Sequence, residues 1–78
     1  MSEFKAYRHK HIAWLRPVTE DEIVYGPQAM QDRNISIGIG DLDSGSPKYG
    51  DMVARNQNNH ADQWLVSAAY FIENFEPV

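Results

Sequence analysis

The sequence predicts an α+β fold: a small, strongly curved antiparallel β-sheet of three or four strands, closed by a short C-terminal helix. Three observations predict it. Ile35, Ile37 and Ile39 alternate with Ser36 and Gly38, the period of a strand. Ala68, Phe71, Ile72 and Phe75 fall at i, i+3, i+4 and i+7, the spacing of one helix face. Between them, DLDSGSPKYG over 41–50 is rich in turn formers. With 78 residues the chain makes one domain, residues 1–78. A domain of this size buries only ~60 to 65% of the surface its unfolded chain exposes, so the core is thin.

The first element expected is a strand over Ala6–Leu15. Ile12 and Trp14 share one face and Ala13 and Leu15 the other. Its first half, Arg8-His9-Lys10-His11, is too polar for a central position and is expected to protrude or lie at an edge. Pro17 stops it. Thr19-Glu20-Asp21-Glu22 has the form of a capping box, with acids in the first turn. The helical segment it could start, Glu20–Tyr25, is cut off at Gly26-Pro27, so one helical turn, or a turn without a helix, is expected. Gln28–Arg33 has no clear period.

The last third holds most of the pattern. Gly50 supplies a permissive φ at a Tyr-Gly-Asp turn. Met52-Val53-Ala54 reads as a strand covered on both faces. Asn56–Asp62 reads as an exposed polar loop. Gln63–Val66 resumes strand character, with Trp64 and Val66 on one face and Leu65 on the other. Ser67 is a good N-cap, and Pro77 ends the helix it starts. That helix is too short to stand alone in water, so its apolar face must pack on the sheet. Trp14, Trp64, Tyr70, Phe71 and Phe75 are assigned to the core, and Tyr7, Tyr25 and Tyr49 to the partly exposed surface.

Composition narrows the function classes. The chain has no cysteine, so there is no disulfide and no thiol chemistry. No run approaches the ~18 apolar residues of a membrane helix, and the N-terminus lacks a signal-peptide core. A soluble protein with no membrane partner is expected. The net charge is −4, unevenly spread. Residues 1–16 carry a net +3 (Lys5, Arg8, Lys10 and Arg16 against Glu3), and the remainder a net −7. An acidic whole argues against non-specific nucleic-acid binding.

The stretches GSPKYGDMVARN, NHADQWLV and YF-x-x-NFEPV resemble a family of short proteins encoded by tailed bacteriophages and prophages of enteric bacteria. That family begins with a basic YR segment followed by A-x-x-RP, here Tyr7-Arg8 and Ala13-Trp14-Leu15-Arg16-Pro17. The resemblance covers both ends of the chain but not roughly Val18 to Asn34. The ending, Phe71 with Phe75-Glu76-Pro77-Val78, is also similar to a second group of small phage proteins with a P-G-D strand start. What the resemblance implies is a phage accessory protein in the host bacterial cytoplasm. It brings no catalytic residue.

The candidate chemistry is thin. His9 and His11 would share a strand face and, with His60 and Asp62, could form a zinc site. Solvated histidines are the preferred reading, because a structural zinc usually uses cysteine. Asp41-Leu42-Asp43-Ser44-Gly45 lacks the remaining ligands of a calcium loop, having Met52 at the twelfth position. It reads as a turn in which Asp side chains bond their own backbone. Gly38-Ile39-Gly40 is no dinucleotide fingerprint, and Ser44 and Ser46 lack a nucleophile-elbow context. No metal, no cofactor and no enzymatic activity are expected.

The leading expectation is a non-enzymatic interaction protein of a phage that binds a host or phage protein during infection. Its binding residues would be Arg55, Asn56, Asn58, Asn59, His60 and Asp62. A homo-oligomer is compatible with this reading. The rival is a small-ligand binder that captures a nucleotide or anionic metabolite and counters host defence. It would use Arg8, Arg16, Lys48 and Arg55.

Overall fold

The computed structural model describes residues 4–8 and 12–77. Two strands open the chain, β1 (Lys5–Arg8) and β2 (Ile12–Pro17), paired antiparallel from Lys5↔Leu15 to Arg8↔Ile12. The single strand expected over Ala6–Leu15 is therefore two. The polar segment that looked like a protruding half-strand contains the connection between them, and residues 9–11 lie outside the described part. Nor does β1 lie at an edge, since β6 (Glu76–Pro77) pairs on its far side.

The capping box forms as read. Thr19 Oγ1 accepts the Glu22 amide at 3.2 Å, and Glu22 Oε1 accepts the Thr19 amide at 2.8 Å. It starts α1 (Glu20–Tyr25). The segment without a clear period is a second helix, α2 (Pro27–Asp32), with proline in its first turn. Proline suits that place because its missing N–H would have had no helical partner. Asn34 follows in the left-handed region at φ 59°, ending the helix.

The isoleucine alternation produces only β3 (Ile35–Ser36). Ile39 instead begins α3 (Ile39–Asp43) and is 78% exposed. A period-2 pattern built on glycine has no side chain on its second face, so it does not specify a strand. The remaining elements are β4 (Met52–Asn56), β5 (Asn59–Val66) and α4 (Ala68–Asn74).

The sheet has six strands in the order β3-β5-β4-β2-β1-β6. It is mixed rather than antiparallel, because β3 runs parallel to β5 through Ile35↔Gln63 and Ser36↔Trp64. Strand β2 is antiparallel to β4, and β4 to β5, so β2 and β3 run the same way. Parallel strands need a crossover, and α1 and α2 are that crossover.

Each face of the sheet carries its own core. On one, Val53, Leu65 and Ile35 pack with Val18 and Met30, and with the half-buried Phe4, Ile23 and Ile37. On the other, Ala13, Leu15, Met52, Ala54 and Val66 pack with Trp64, Phe71 and Phe75. The alternation of Trp64 and Val66 against Leu65 is thus as expected, and so is double coverage of 52–54. Helix α4 presents a narrower stripe than the spacing suggests: Ile72 is 77% exposed, and only Phe71 and Phe75 meet the sheet. Seven residues make too short a rod to lay a wide face on a twisted sheet.

Glu22 locks α1 and α2 to the sheet. Its side chain is fully buried. Arg16 Nη1 and Nη2 donate to its two oxygens, each at 2.8 Å, and Arg33 Nη1 lies 3.0 Å from Oε2. Burial pushes this carboxyl up. The Arg16 fork, the Thr19 amide and the Arg33 guanidinium outweigh burial and bring it down to about 2, from 4.5. A carboxyl lowered on folding stabilises above its unfolded value and stops doing so as pH falls through its folded value. Glu22 therefore contributes roughly 3 kcal/mol at neutral pH, lost between about pH 5 and pH 2. Glu22→Gln leaves the largely buried Arg16 without its charge partner and should cost about 3 kcal/mol. Urea titrations at neutral and acid pH check both: the gap between wild type and variant should narrow as pH falls.

Gly50 sits at φ +95°, as its turn position predicts. A Cβ there would lie 3.1 Å from Ala68 Cβ, at the start of α4. Gly50→Ala should cost about 1 to 3 kcal/mol from backbone strain, read as a lower denaturation midpoint with unchanged slope.

Candidate binding cleft

On the α4 side of the sheet a half-open cleft of about 850 Å³ lies among β5, α4, α3 and the β4–β5 turn. Trp64 of β5 and Tyr70 and Phe75 of the C-terminal segment line it, with Asn56, Gln57 and Asn58 of the turn and Asp41 of α3. The Tyr70 and Phe75 rings stand 6.0 Å apart, tilted by 59°.

One buried residue sets both walls. Asp51 is fully buried. Its Oδ1 accepts the Ala68 amide at 2.9 Å, fixing the first residue of α4. Its Oδ2 accepts the Ser46 hydroxyl at 2.6 Å and the Lys48 amide at 3.0 Å. The Ser46 amide in turn donates to the Asp41 carbonyl at 2.9 Å. Asp41 and α4 are thus tied to the same carboxylate from opposite sides. At the start of α4, Ser67 accepts the Tyr70 amide at 3.3 Å, so the expected N-cap forms.

The third wall is the β4–β5 connection. The loop expected over Asn56–Asp62 is mostly strand, with only Gln57 and Asn58 in the turn. Asn56 Oδ1 accepts the Asn58 amide at 2.8 Å, and Asn59 Oδ1 accepts the Ala61 amide at 3.2 Å. The ladder then slips from Asn56↔Asn59 to Arg55↔Gln63, leaving His60, Ala61 and Asp62 as an exposed bulge. Asn34 Nδ2 reaches the Ala61 carbonyl at 3.5 Å from the other side.

Of the residues expected to bind a partner, Asn56 and Asn58 line the cleft. Asn59, His60 and Asp62 are exposed on β5 beside it. Arg55 is on the opposite face, its guanidinium 4.1 Å from the centre of the Phe4 ring, with a buried Nε that has no hydrogen-bond partner. Of the anion-binding set, Arg16 and Arg55 stand against the same Phe4 ring, their guanidinium carbons 5.4 and 4.1 Å from its centre. Arg16 is committed to Glu22, and Lys48 Nζ donates to the Ser44 carbonyl at 2.9 Å. Arg8 lies in β1, and its side chain is outside the described part. So are His9 and His11, and among the described residues no three His, Cys, Asp or Glu side chains are grouped to hold a metal ion.

The reading of the sequence missed Asp41, Gln57 and the aromatic lining. Tyr70, assigned to the core, is 46% exposed. The signal was present: Tyr70 falls outside the Ala68–Phe71–Ile72–Phe75 stripe. Comparison with protein-family models, curated proteins and solved structures found no match. No helix among the described residues is long and apolar enough to cross a membrane.

The turn separates structural from free amides. Asn56→Ala and Asn59→Ala each remove a hydrogen bond to a turn amide and should cost about 1 kcal/mol. Asn58 and His60 make no side-chain hydrogen bond among the described residues. Their joint replacement by alanine should change stability by less than ~0.5 kcal/mol. Thermal melts of the three variants check the split.

Proposed function

We propose that this protein is a non-enzymatic accessory protein, encoded by a phage, that binds a host or phage protein in the host bacterial cytoplasm. The cleft is its recognition surface. The single observation that carries this reading is that Trp64, Tyr70 and Phe75 line an open cleft beside hydrogen-bonding amides. Aromatic rings with adaptable polar neighbours are the usual composition of a protein-recognition surface. The phage origin is part of the proposal and rests on the resemblance of the two ends of the chain alone.

A second reading, a small-ligand binder, is favoured by the size of the cleft. Its volume falls in the ~300 to 1,000 Å³ range of small-molecule sites. Its lining differs from the basic set expected of an anion binder: the one charged residue among the described lining is Asp41.

The combined variant Tyr70→Ala/Asn58→Ala decides between them and the fold. It should keep a cooperative unfolding transition yet lose capture of a host protein by immobilised protein in lysate. Tyr25→Ala, an exposed residue of α1, belongs to the other face and should keep capture. Equal capture by both variants would sink the reading. A thermal shift with free nucleotides, in place of a protein-sized complex, would favour the second.

A further inference from the structure

The cleft has a chemical preference written into its lining. Asp41 lines the cleft, and its carboxylate has no hydrogen-bond or ion-pair partner among the described residues. Its acceptor oxygens are therefore open to a cationic donor entering the cleft. The Trp64, Tyr70 and Phe75 rings line the same space. Aromatic faces attract cations through their quadrupoles, tryptophan best of all. The side-chain carbonyls of Gln57 and Asn58 supply hydrogen-bond acceptors at the rim. No arginine or lysine lines the cleft among the described residues, and residues 17–78 carry a net −7 that draws basic segments in.

We propose that the cleft takes the guanidinium of an arginine on an exposed segment of the partner protein, paired to Asp41 and held against the Trp64 aromatic wall. The inference rests on the cleft being the recognition surface and names what that surface recognises. Guanidinium fits better than ammonium. It is planar, so it lies against a ring, and its five N–H donors serve a carboxylate and side-chain amides together. A lysine offers a compact, strongly hydrated charge instead.

The experiment uses the whole chain and four short glycine–serine peptides, with a central arginine, citrulline (its uncharged isostere), lysine or glutamate. Amide and indole NMR shifts follow the titration. The arginine peptide should move the Trp64 indole and the backbone signals of Asp41 and Asn58, saturably. The citrulline peptide should bind at least about tenfold more weakly. Asp41→Asn should weaken the arginine peptide about tenfold, the equivalent of ~1.4 kcal/mol, and leave citrulline unchanged. The Asp41 side chain bonds nothing among the described residues, so the variant should fold, and the citrulline comparison needs no variant at all. Equal binding of the arginine and citrulline peptides, tighter binding of the glutamate or lysine peptide, or shifts elsewhere on the molecule would overturn the proposal. If the arginine peptide fails while Tyr70→Ala/Asn58→Ala still loses capture, recognition through the cleft stands and only its arginine preference falls.

Discussion

The cleft depends on one carboxylate that cannot be left unsatisfied. Asp51 has no exposed surface, and a buried carboxylate without donors would be expensive. The chain meets that demand with three donors from three places: the Ser46 hydroxyl, the Lys48 amide and the Ala68 amide. The backbone of the same residue adds a fourth link, since its carbonyl accepts the Val18 amide at 3.0 Å. The exit of β2, the turn before β4 and the start of α4 are therefore fixed by a single position. Two of these donors are local, three and five residues before Asp51, whereas Ala68 lies 17 residues away and ties that turn to α4. A thin core has little packing to spare for orienting a seven-residue helix. A charged hydrogen bond to its first amide does what the core does not.

Glu22 does the corresponding work on the other face. It also begins with a helix start, the α1 capping box, and then recruits Arg16 from β2 and Arg33 from beyond α2. The two carboxylates sit near the same end of the sheet, where β2 finishes at Pro17 and pairs with Met52. The opposite end, at Ala13 and Asn56, carries the turn that closes the cleft. The two buried carboxylates and the turn wall of the cleft are thus at different ends of the same strands. The polar anchors hold the helices while the turn stays exposed to solvent.

What the sequence made legible is what short-range chemistry decides. The Thr19–Glu22 box, the Ser67 cap, the Gly50 turn and the two faces of 64–66 are each set within four residues. What it hid is non-local. The parallel pairing of β3 with β5 joins residues 28 apart, and nothing in Ile35-Ser36 announces it. Pro27 looked like a stop because proline ends one helix, yet it equally begins the next. The site followed the same division. Asn56 and Asn58 were found because a polar run marks a connection. Arg55 was misplaced by one residue of alternation, which turns a side chain to the other face. Asp41 was read as part of a self-bonded turn, and its place in the cleft depends on Ser46 and Asp51.

Asn56 faces the cleft because it shares the β4 face of Ala54, and the bulge in β5 brings Asn59 opposite it. Had β5 kept the register of Arg55↔Gln63, Asn56 would pair with Asp62 and the turn would centre on Asn59. Instead the connection closes at Gln57-Asn58, and three residues leave the ladder. Asn34 is the only non-glycine residue with a positive φ among those described, so neither Gln57 nor Asn58 is left-handed. A two-residue connection without positive φ is not one of the primed turns that match strand twist, and it splays the strands it joins. The slip absorbs that splay, as bulges do. Because three is odd, it also reverses the side-chain alternation, so that Asn59 pairs with Asn56 on the cleft side. A bulge of two residues would have restored the original phase at Asn59. Asn59 stands opposite Asn56 because the local preference for a tight Asn-rich connection overrides the register that β4 and β5 keep elsewhere.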